Sequence, residues 1–439
     1  MPHAPGTTRD AELARRAKPR FEGDTTVTGD LSARVGIVYR SQDFALANGA
    51  LSLKAYHAGE LRNLTGATGL DYLSVYESLG PVGFEKYVKK WVTDNEIRIL
   101  FFVTTLWLEF DTELLLWLSQ RVFIVHWMFD DVTEFDVFSR YYGQFADLVL
   151  VEDYVTALRY EQMGVSAHFR TPIYSAEMYS PMDLPRSVDV SMVGILAAQG
   201  RGECVRRLRQ EGFAVATYGV DSPAGPVSLE RMREIFCTSK VNLNTAGVTP
   251  SRRAARDPSV ALRRQIKGRI TEVALTRSFV LTEYSPGLEQ AWGIDTEIGV
   301  FHTHAELIAK TRYYLSHDDE REAISSAAYA RAIRDYAGPA AFARVFEEVL
   351  ARFYETDWAA KQTRTKPPRL GEDVGRIVVA NRLGRSWQFA RAHSWRAAGQ
   401  EMSIACTEAS SAARARRGRV CRPARYLKIG ARAVLGRLR

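Results

Sequence analysis

Twice along this chain, short runs of almost unbroken apolar residues alternate with stretches of amphipathic helical character, and a proline-bearing break separates the two series. A strand without a polar face must be covered on both sides, so the pattern demands parallel sheets flanked by helices. The first series comprises Val35–Tyr39, a helix-like stretch around Leu46–His57, Tyr72–Tyr76, a helix around Phe84–Thr93, Ile97–Val103 and a helix around Thr112–Ser119. Val122–Trp127, Leu148–Val151, a helix over Tyr154–Met163 and Ala167–Arg170 complete it. The second runs through Val190–Val193, Ala214–Tyr218, Val241–Leu243, Phe279–Thr282 and Ile298–Phe301, with helices over Glu203–Glu211, Leu229–Phe236, Ile266–Leu275 and near Leu288–Trp292. Three more helices follow at Ala305–Leu315, Glu320–Tyr336 and Ala340–Tyr354. The expectation is an α/β protein of two doubly wound domains, 31–175 and 190–356, the second including the closing helices. A linker (176–189) lies in the break that carries Pro172, Pro181 and Pro185, a flexible leader occupies 1–30, and a basic extension occupies 357–439. Ligands of open α/β sheets bind beyond the carboxyl ends of the strands, which points to the cleft between the domains.

Charge is unevenly distributed. The 439 residues carry a formal +8, yet residues 361–439 hold 19 Lys+Arg against 4 Asp+Glu, leaving 40 against 47 for the rest. The body is therefore mildly acidic and the excess cationic charge sits in the tail, which argues against a nucleic-acid-binding globule with a basic face. Cys204, Cys237, Cys406 and Cys421 form no CxxC pair and have no histidine at metal spacing, so neither a disulfide framework nor a zinc site is expected, and a reducing cytoplasm fits. The charged N-terminus lacks the apolar core of a signal peptide, and runs such as Ile99–Leu108 fall short of the roughly 20 residues a membrane span needs.

Common fingerprints are missing. After Tyr39 comes Arg40-Ser41-Gln42-Asp43-Phe44-Ala45-Leu46-Ala47-Asn48-Gly49, not GxGxxG, so a dinucleotide oxidoreductase loses most of its support. There is no GxxxxGK[ST] for a P-loop and no GxSxG for a hydrolase elbow.

A more specific pattern lies in the second series: Val190-Ser191-Met192-Val193-Gly194, Arg201, Tyr218-Gly219, Ser239-Lys240-Val241-Asn242-Leu243-Asn244, Lys267-Gly268-Arg269-Ile270-Thr271-Glu272-Val273-Ala274, Phe279-Val280-Leu281-Thr282-Glu283 and Gly287-Leu288-Glu289. It resembles the C-terminal half of glycosyltransferases of the spore-maturation (CgeB-like) type. His126-Trp127-Met128-Phe129-Asp130-Asp131, Asp147-Leu148-Val149-Leu150 and Tyr160 to Gly164 are similar to that family's N-terminal half, and the resemblance covers about residues 31–352. It implies a GT-B architecture of two facing Rossmann-like domains, with a nucleotide-sugar donor held mainly by the second and a hydroxyl acceptor (glycan, lipid-linked or protein) by the first. Kinship with the broader group-1 enzymes implies retaining stereochemistry. In their E-x7-E motif Glu272 matches the second, ribose-binding glutamate, whereas the first falls at Arg264, and Arg277 replaces a usually small residue.

The residue chemistry is consistent with such a donor. A diphosphate needs cations or backbone N–H groups, and a ribose needs a carboxylate. Lys267 and Arg269 precede Glu272 at a helix start, a composition suited to a nucleoside diphosphate without metal or other cofactor. Ser285-Pro286-Gly287-Leu288-Glu289 supplies a second candidate contact, because glycine lets backbone approach a phosphate closely. By resemblance, Arg201 neutralises the leaving diphosphate and His126 contacts the donor. Asp130 or Asp131 can orient or deprotonate the acceptor hydroxyl.

Plainer readings stand beside each assignment. Lys267, Arg269 and Glu272 fit local ion pairs at an exposed helix start, and His126 among Phe123, Val125 and Trp127 fits a core histidine. Asp130 and Asp131 fit helix-capping acids, and Arg201, between Gly200 and Gly202, fits a solvated loop. Arg252, Arg253, Arg256, Arg263 and Arg264 fall in a long loop that is either disordered or acceptor-binding. In the tail, Lys361–Arg369 reads as a spacer. Over 422–439, Leu427, Ala431, Val434, Leu435 and Leu438 share one helical face opposite Arg425, Lys428, Arg432 and Arg439, the pattern of a helix on an anionic membrane surface. Tyr426 alone supplies a stacking aromatic there, so nucleic acid is not an expected partner. The competing function is a non-catalytic nucleotide-sugar-binding or membrane-tethered assembly subunit; a sugar epimerase would need an acid/base pair that the sequence does not display.

Overall fold

A computed structural model describes residues 34–43, 52–103, 109–197, 200–249, 258–365, 372–392 and 394–414. The first domain is built on β1 (Val35–Tyr39), β2 (Thr68–Asp71), β3 (Ile99–Val103), β4 (Phe123–Met128), β5 (Leu148–Val151) and β6 (Ala167–Phe169), in the order β2-β1-β3-β4-β5-β6. Every pairing is parallel. All residues of β3, β4 and β5 are buried, as their unbroken apolar runs require of a sheet covered on both faces. The second domain is a five-stranded parallel sheet of β7 (Val188–Val193), β8 (Val215–Tyr218), β9 (Ser239–Asn244), β10 (Val280–Glu283) and β11 (Gly299–Phe301), ordered β11-β10-β9-β7-β8.

Three regions depart from the sequence expectation. Tyr72–Tyr76, read as a strand, opens the helix Tyr72–Asp94, and the edge strand is the preceding, mostly polar Thr68–Asp71. Tyr72, Tyr76, Phe84, Val88, Trp91 and Val92 are buried at helical spacing, and that period overrides the β-propensity of the aromatic run. The same helix kinks at Gly80-Pro81, where Gly80 takes φ 66°.

The helix Gly338–Tyr354, expected to close the second domain, instead crosses back beneath the first. Its stripe Ala341, Phe342, Val345, Phe346, Val349 and Phe353 packs against Val35, Phe101, Val125 and Trp127. The crossing runs alongside the outgoing linker: Tyr174 donates its N–H to Tyr336 O (3.0 Å) and accepts from Gly338 N (3.1 Å).

The early part of the basic extension is folded as well. Helices Glu372–Arg391 and Trp395–Arg414 pair with each other, and Val378, Phe389, Ala397 and Ala398 join the core that contains Tyr72, Tyr76 and Phe84. Arg382, Arg385 and Glu401 are sunk into this junction. Arg382 Nη1 donates to Tyr76 Oη (2.8 Å) and pairs with Glu401 (3.2 Å), while Arg385 bridges Glu401 (2.8 Å) and Glu109 (2.9 Å). Just before these helices, Lys361 and Arg364 both pair with the buried Asp147. Several tail cations are thus structural. The expected membrane-surface helix, 422–439, lies outside the described residues.

Candidate active site

The domains face one another across a cavity of about 450 Å³, lined from the first domain by Gln42, Ser52, Lys54, Phe129, Asp130 and Glu152 and from the second by Gln265, Ile266, Lys267 and Gly268. Pro172 and Tyr174, just before the linker, also line it. It lies where the carboxyl ends of β4 and β5 open, the place the topology predicts.

Asp130 and Asp131 follow β4 but diverge. Asp130 adopts a left-handed backbone (φ 55°), uncommon for a residue with a Cβ, and presents an exposed carboxylate at the cavity. Asp131 turns inward, accepting hydrogen bonds from Ser139 Oγ and Tyr160 Oη (2.8 Å), and burial pushes its carboxyl up to about 7. Of the two candidate acids, only Asp130 lines the cavity. His126 is fully buried two residues before the end of β4, with the Phe102 ring 5.0 Å away, and burial pulls its imidazole down to about 3. The structure realises the core reading of His126 and does not bring it to the cavity.

On the opposite wall, Lys267 donates to Gln265 Oε1 (3.0 Å). Burial lowers its pKa, partly offset by the field of Asp130 and Glu152. Arg201 opens the helix Arg201–Gln210, with Nη1 donating to Ile195 O (3.3 Å). Its pKa is lowered by burial and by the neighbouring Arg269. Lys267 feels Arg201 in turn, so the three cations form one positive region. Arg269 pairs with Glu272 (2.5 Å) and lies over the Phe236 ring. Glu272 also lies beside Tyr179, whose hydroxyl pKa burial and the Glu272 charge both raise. The local ion pair at this helix start is therefore present, and it holds Glu272 beside the cationic cluster.

The Ser285–Glu289 segment plays a different part. Gly287 has φ 83°, and a Cβ there would lie 2.3 Å from Tyr154 Cβ, so its close approach is to a side chain of the first domain. Leu288 is fully buried, Ser285 nearly so, and Glu289 accepts from Tyr284 Oη (3.3 Å). Arg264 is occupied as well: its Nε donates to Glu283 Oε1 (2.6 Å), and Glu283 Oε2 accepts from Ala246 N (3.0 Å). Its neighbour Arg263 spans the domains, donating to Val132 O (2.8 Å) and pairing with Asp136 (2.6 Å). Val132, Val248 and Val260 form a small shared core beside it. Arg252, Arg253 and Arg256 lie outside the described residues.

Sequence reasoning passed over Lys54, Tyr174 and Glu152. Glu152 had a legible signal, a carboxylate immediately after a fully apolar strand whose carboxyl end faces the cleft.

Residues 201–342 match the family described as Glycosyl transferase-like. No curated protein matches the sequence. Among solved structures, the chain is similar to sucrose-phosphate synthase from Thermosynechococcus elongatus (TM-score 0.52, 11% identity), covering 73% of this chain and 99% of that one. It is also similar to Anabaena HepE in complex with UDP and glucose (0.51, 13%; 72% and 99%) and to a glycosyltransferase from Rickettsia africae (0.51, 9%; 73% and 99%). The chain has the GT-B α/β fold, and its second domain is glycosyl transferase-like.

Proposed function

We propose that this protein is a glycosyltransferase that moves a sugar from a nucleoside-diphosphate donor to a hydroxyl acceptor. The observation that carries the reading is the cationic group of Lys267, Arg201 and Arg269 in the second domain, of which Lys267 lines the cavity, inside the segment with glycosyl transferase-like sequence. As the glycosidic bond of a nucleoside-diphosphate sugar breaks, negative charge grows on the diphosphate. Preorganised cations in a part-buried cleft stabilise that charge by several kcal/mol, more than the about 1 kcal/mol of a neutral hydrogen bond. Three such cations are the basis for proposing that no metal is required. Glu272, steered by Arg269, would take the ribose hydroxyls. Asp130, the exposed carboxylate of the opposite wall, would receive or orient the acceptor hydroxyl. HepE has been solved with UDP-glucose, which makes a uridine nucleotide the first donor to try. Retaining stereochemistry, CgeB-like kinship, a cytoplasmic site of action and membrane contact through 422–439 remain part of the proposal on sequence grounds.

A second reading, a nucleotide-sugar-binding subunit without turnover, is favoured by one observation: Arg264 stands where group-1 relatives have a glutamate and is tied to Glu283. Incubation with a panel of nucleotide sugars and mixed acceptors, with and without chelator, separates the two. Release of nucleoside diphosphate in the presence of chelator is the expected result. Thermal stabilisation without release supports the binding subunit, and no stabilisation by any nucleotide sugar overturns both readings.

A further inference from the structure

Glu152 is the first residue past β5, and its side chain lines the cavity while only 7% exposed. Its Oε1 is buried without a hydrogen-bond partner. Burying an unpaired carboxyl costs free energy, and such groups in native proteins call for an explanation. Lys54 and Lys267 lie near enough to feel its charge but leave that oxygen without a hydrogen bond. Asp153 is spent on capping the helix Tyr154–Gln162, accepting from Thr156 N (2.7 Å), so the cap does not need Glu152.

Around Glu152 the cavity is lined by Lys54, Lys267, Asp130, Gln42, Ser52 and Gln265, so donors and acceptors face a ligand from several sides. A wall of mixed hydrogen-bonding groups suits a ligand rich in hydroxyls. Position narrows the ligand further. Lys267 belongs both to the cationic cluster and to this cavity, so one of the two groups carried by a diphosphate held there enters the space before Glu152; with the nucleoside assigned to Glu272, which does not line the cavity, that group is the sugar.

We infer that Glu152 is a donor-sugar-binding residue, its carboxyl hydrogen-bonding a hydroxyl of the sugar that is transferred. Burial favours its protonated form, which both donates and accepts, so it can meet a hydroxyl in either sense. The inference rests on the nucleotide-sugar reading of the cleft and adds a contact from the wall opposite the diphosphate.

The test compares binding of a free nucleoside diphosphate with binding of its sugar conjugate, using UDP with UDP-glucose, UDP with UDP-N-acetylglucosamine, and GDP with GDP-mannose. Titrations use the full-length protein and its Glu152→Leu, Glu152→Ala and Glu152→Gln variants. For the pair that binds the wild type, Glu152→Leu should weaken the sugar conjugate by about tenfold or more and leave the nucleoside diphosphate within about twofold. Glu152→Gln, which keeps hydrogen-bonding capacity, should stay within about threefold for both. Leucine removes a buried polar group, so cooperative unfolding should survive; Glu152→Ala carries the same comparison if it does not. Equal loss for both ligands, or no loss for either, overturns the role of Glu152 while leaving the nucleotide site standing. A wild type that binds no pair overturns the nucleotide-sugar reading and this inference with it.

Discussion

The two walls of the cleft solve different electrostatic problems. The second domain gathers Lys267, Arg201 and Arg269 and ties its nearest carboxylate, Glu272, to one of them. The first presents Asp130 and Glu152, with Lys54 beside them. A wall of cations suits a group that becomes more negative during reaction, and a wall of carboxyls suits hydroxyls that lose or share protons. On the proposed function, the difference gives leaving-group chemistry to one domain and hydroxyl recognition to the other, a division that single substitutions can break.

The largest expected effect is on the cationic wall. Lys267→Ala should lower kcat/KM by about 10²- to 10³-fold, the usual result of deleting a preorganised charge that stabilises a developing anion. Unfolding should remain cooperative, because the lysine's hydrogen bond within its own segment is to Gln265. Steady-state kinetics with the best donor decide it; a loss under about threefold would remove the diphosphate from this wall.

Next comes a pH effect on the carboxyl wall. Asp131, buried beneath Asp130, titrates near 7 in the folded protein against an unfolded value near 3.8. Between those values the native state keeps a proton that the unfolded state has lost, so stability falls as pH rises from about 4 to about 7 and levels off above. A shift of about three units corresponds to about 4 kcal/mol. Asp131→Asn should flatten the stability profile over that window by a comparable amount while sparing transfer, since Asp131 does not reach the cavity. Denaturant midpoints of wild type and variant at pH 4.5 and 8 measure the difference.

How much of this was legible follows physical lines. Strands buried on both faces, such as β3, β4 and β5, announce themselves because burial leaves little room for polar residues, His126 being the exception. The edge strand Thr68–Asp71 did not, since edge residues are only partly buried and the aromatic residues of the following helix carry a stronger β signal. Periodicity shows that the helix Gly338–Tyr354 has an apolar stripe but not which sheet it covers; its choice of the first domain is a tertiary fact. The same limit applies to charge. The basic composition after residue 360 says nothing of Glu401 and Glu109 waiting to receive Arg382 and Arg385. At the site, Lys267 and Arg269 were visible as neighbours in sequence, whereas the approach of Arg201 to them is tertiary and the separation of Asp130 from Asp131 depends on one left-handed residue.

Glu272 sharpens the comparison, because it is a carboxylate on the cationic wall. If it reads ribose hydroxyls, Glu272→Ala should weaken nucleoside diphosphate and sugar conjugate alike, by about tenfold, about 1.4 kcal/mol. That equal loss is the opposite of the sugar-selective loss expected for Glu152. Unchanged affinity would reduce Glu272 to a holder of Arg269, and calorimetric titration with the same ligand pairs distinguishes the outcomes.

The smallest effect is expected where the walls are joined. Arg263 reaches from the second domain to Asp136 and Val132 O of the first, with about a fifth of its side chain exposed (22%) and Asp136 similarly placed (26%). Partly exposed ion pairs contribute about 1 kcal/mol or less, and Arg159 also holds Asp136, so the carboxylate is not abandoned when Arg263 is removed. Arg263→Ala should therefore leave kcat within about twofold and raise the donor KM by about threefold, through looser registration of one wall on the other. The KM effect should shrink in high salt, where the wild-type pair is itself screened. If Arg263→Ala instead lowers kcat as far as Lys267→Ala does, domain registration and diphosphate stabilisation are one function, and the division of labour between the walls fails.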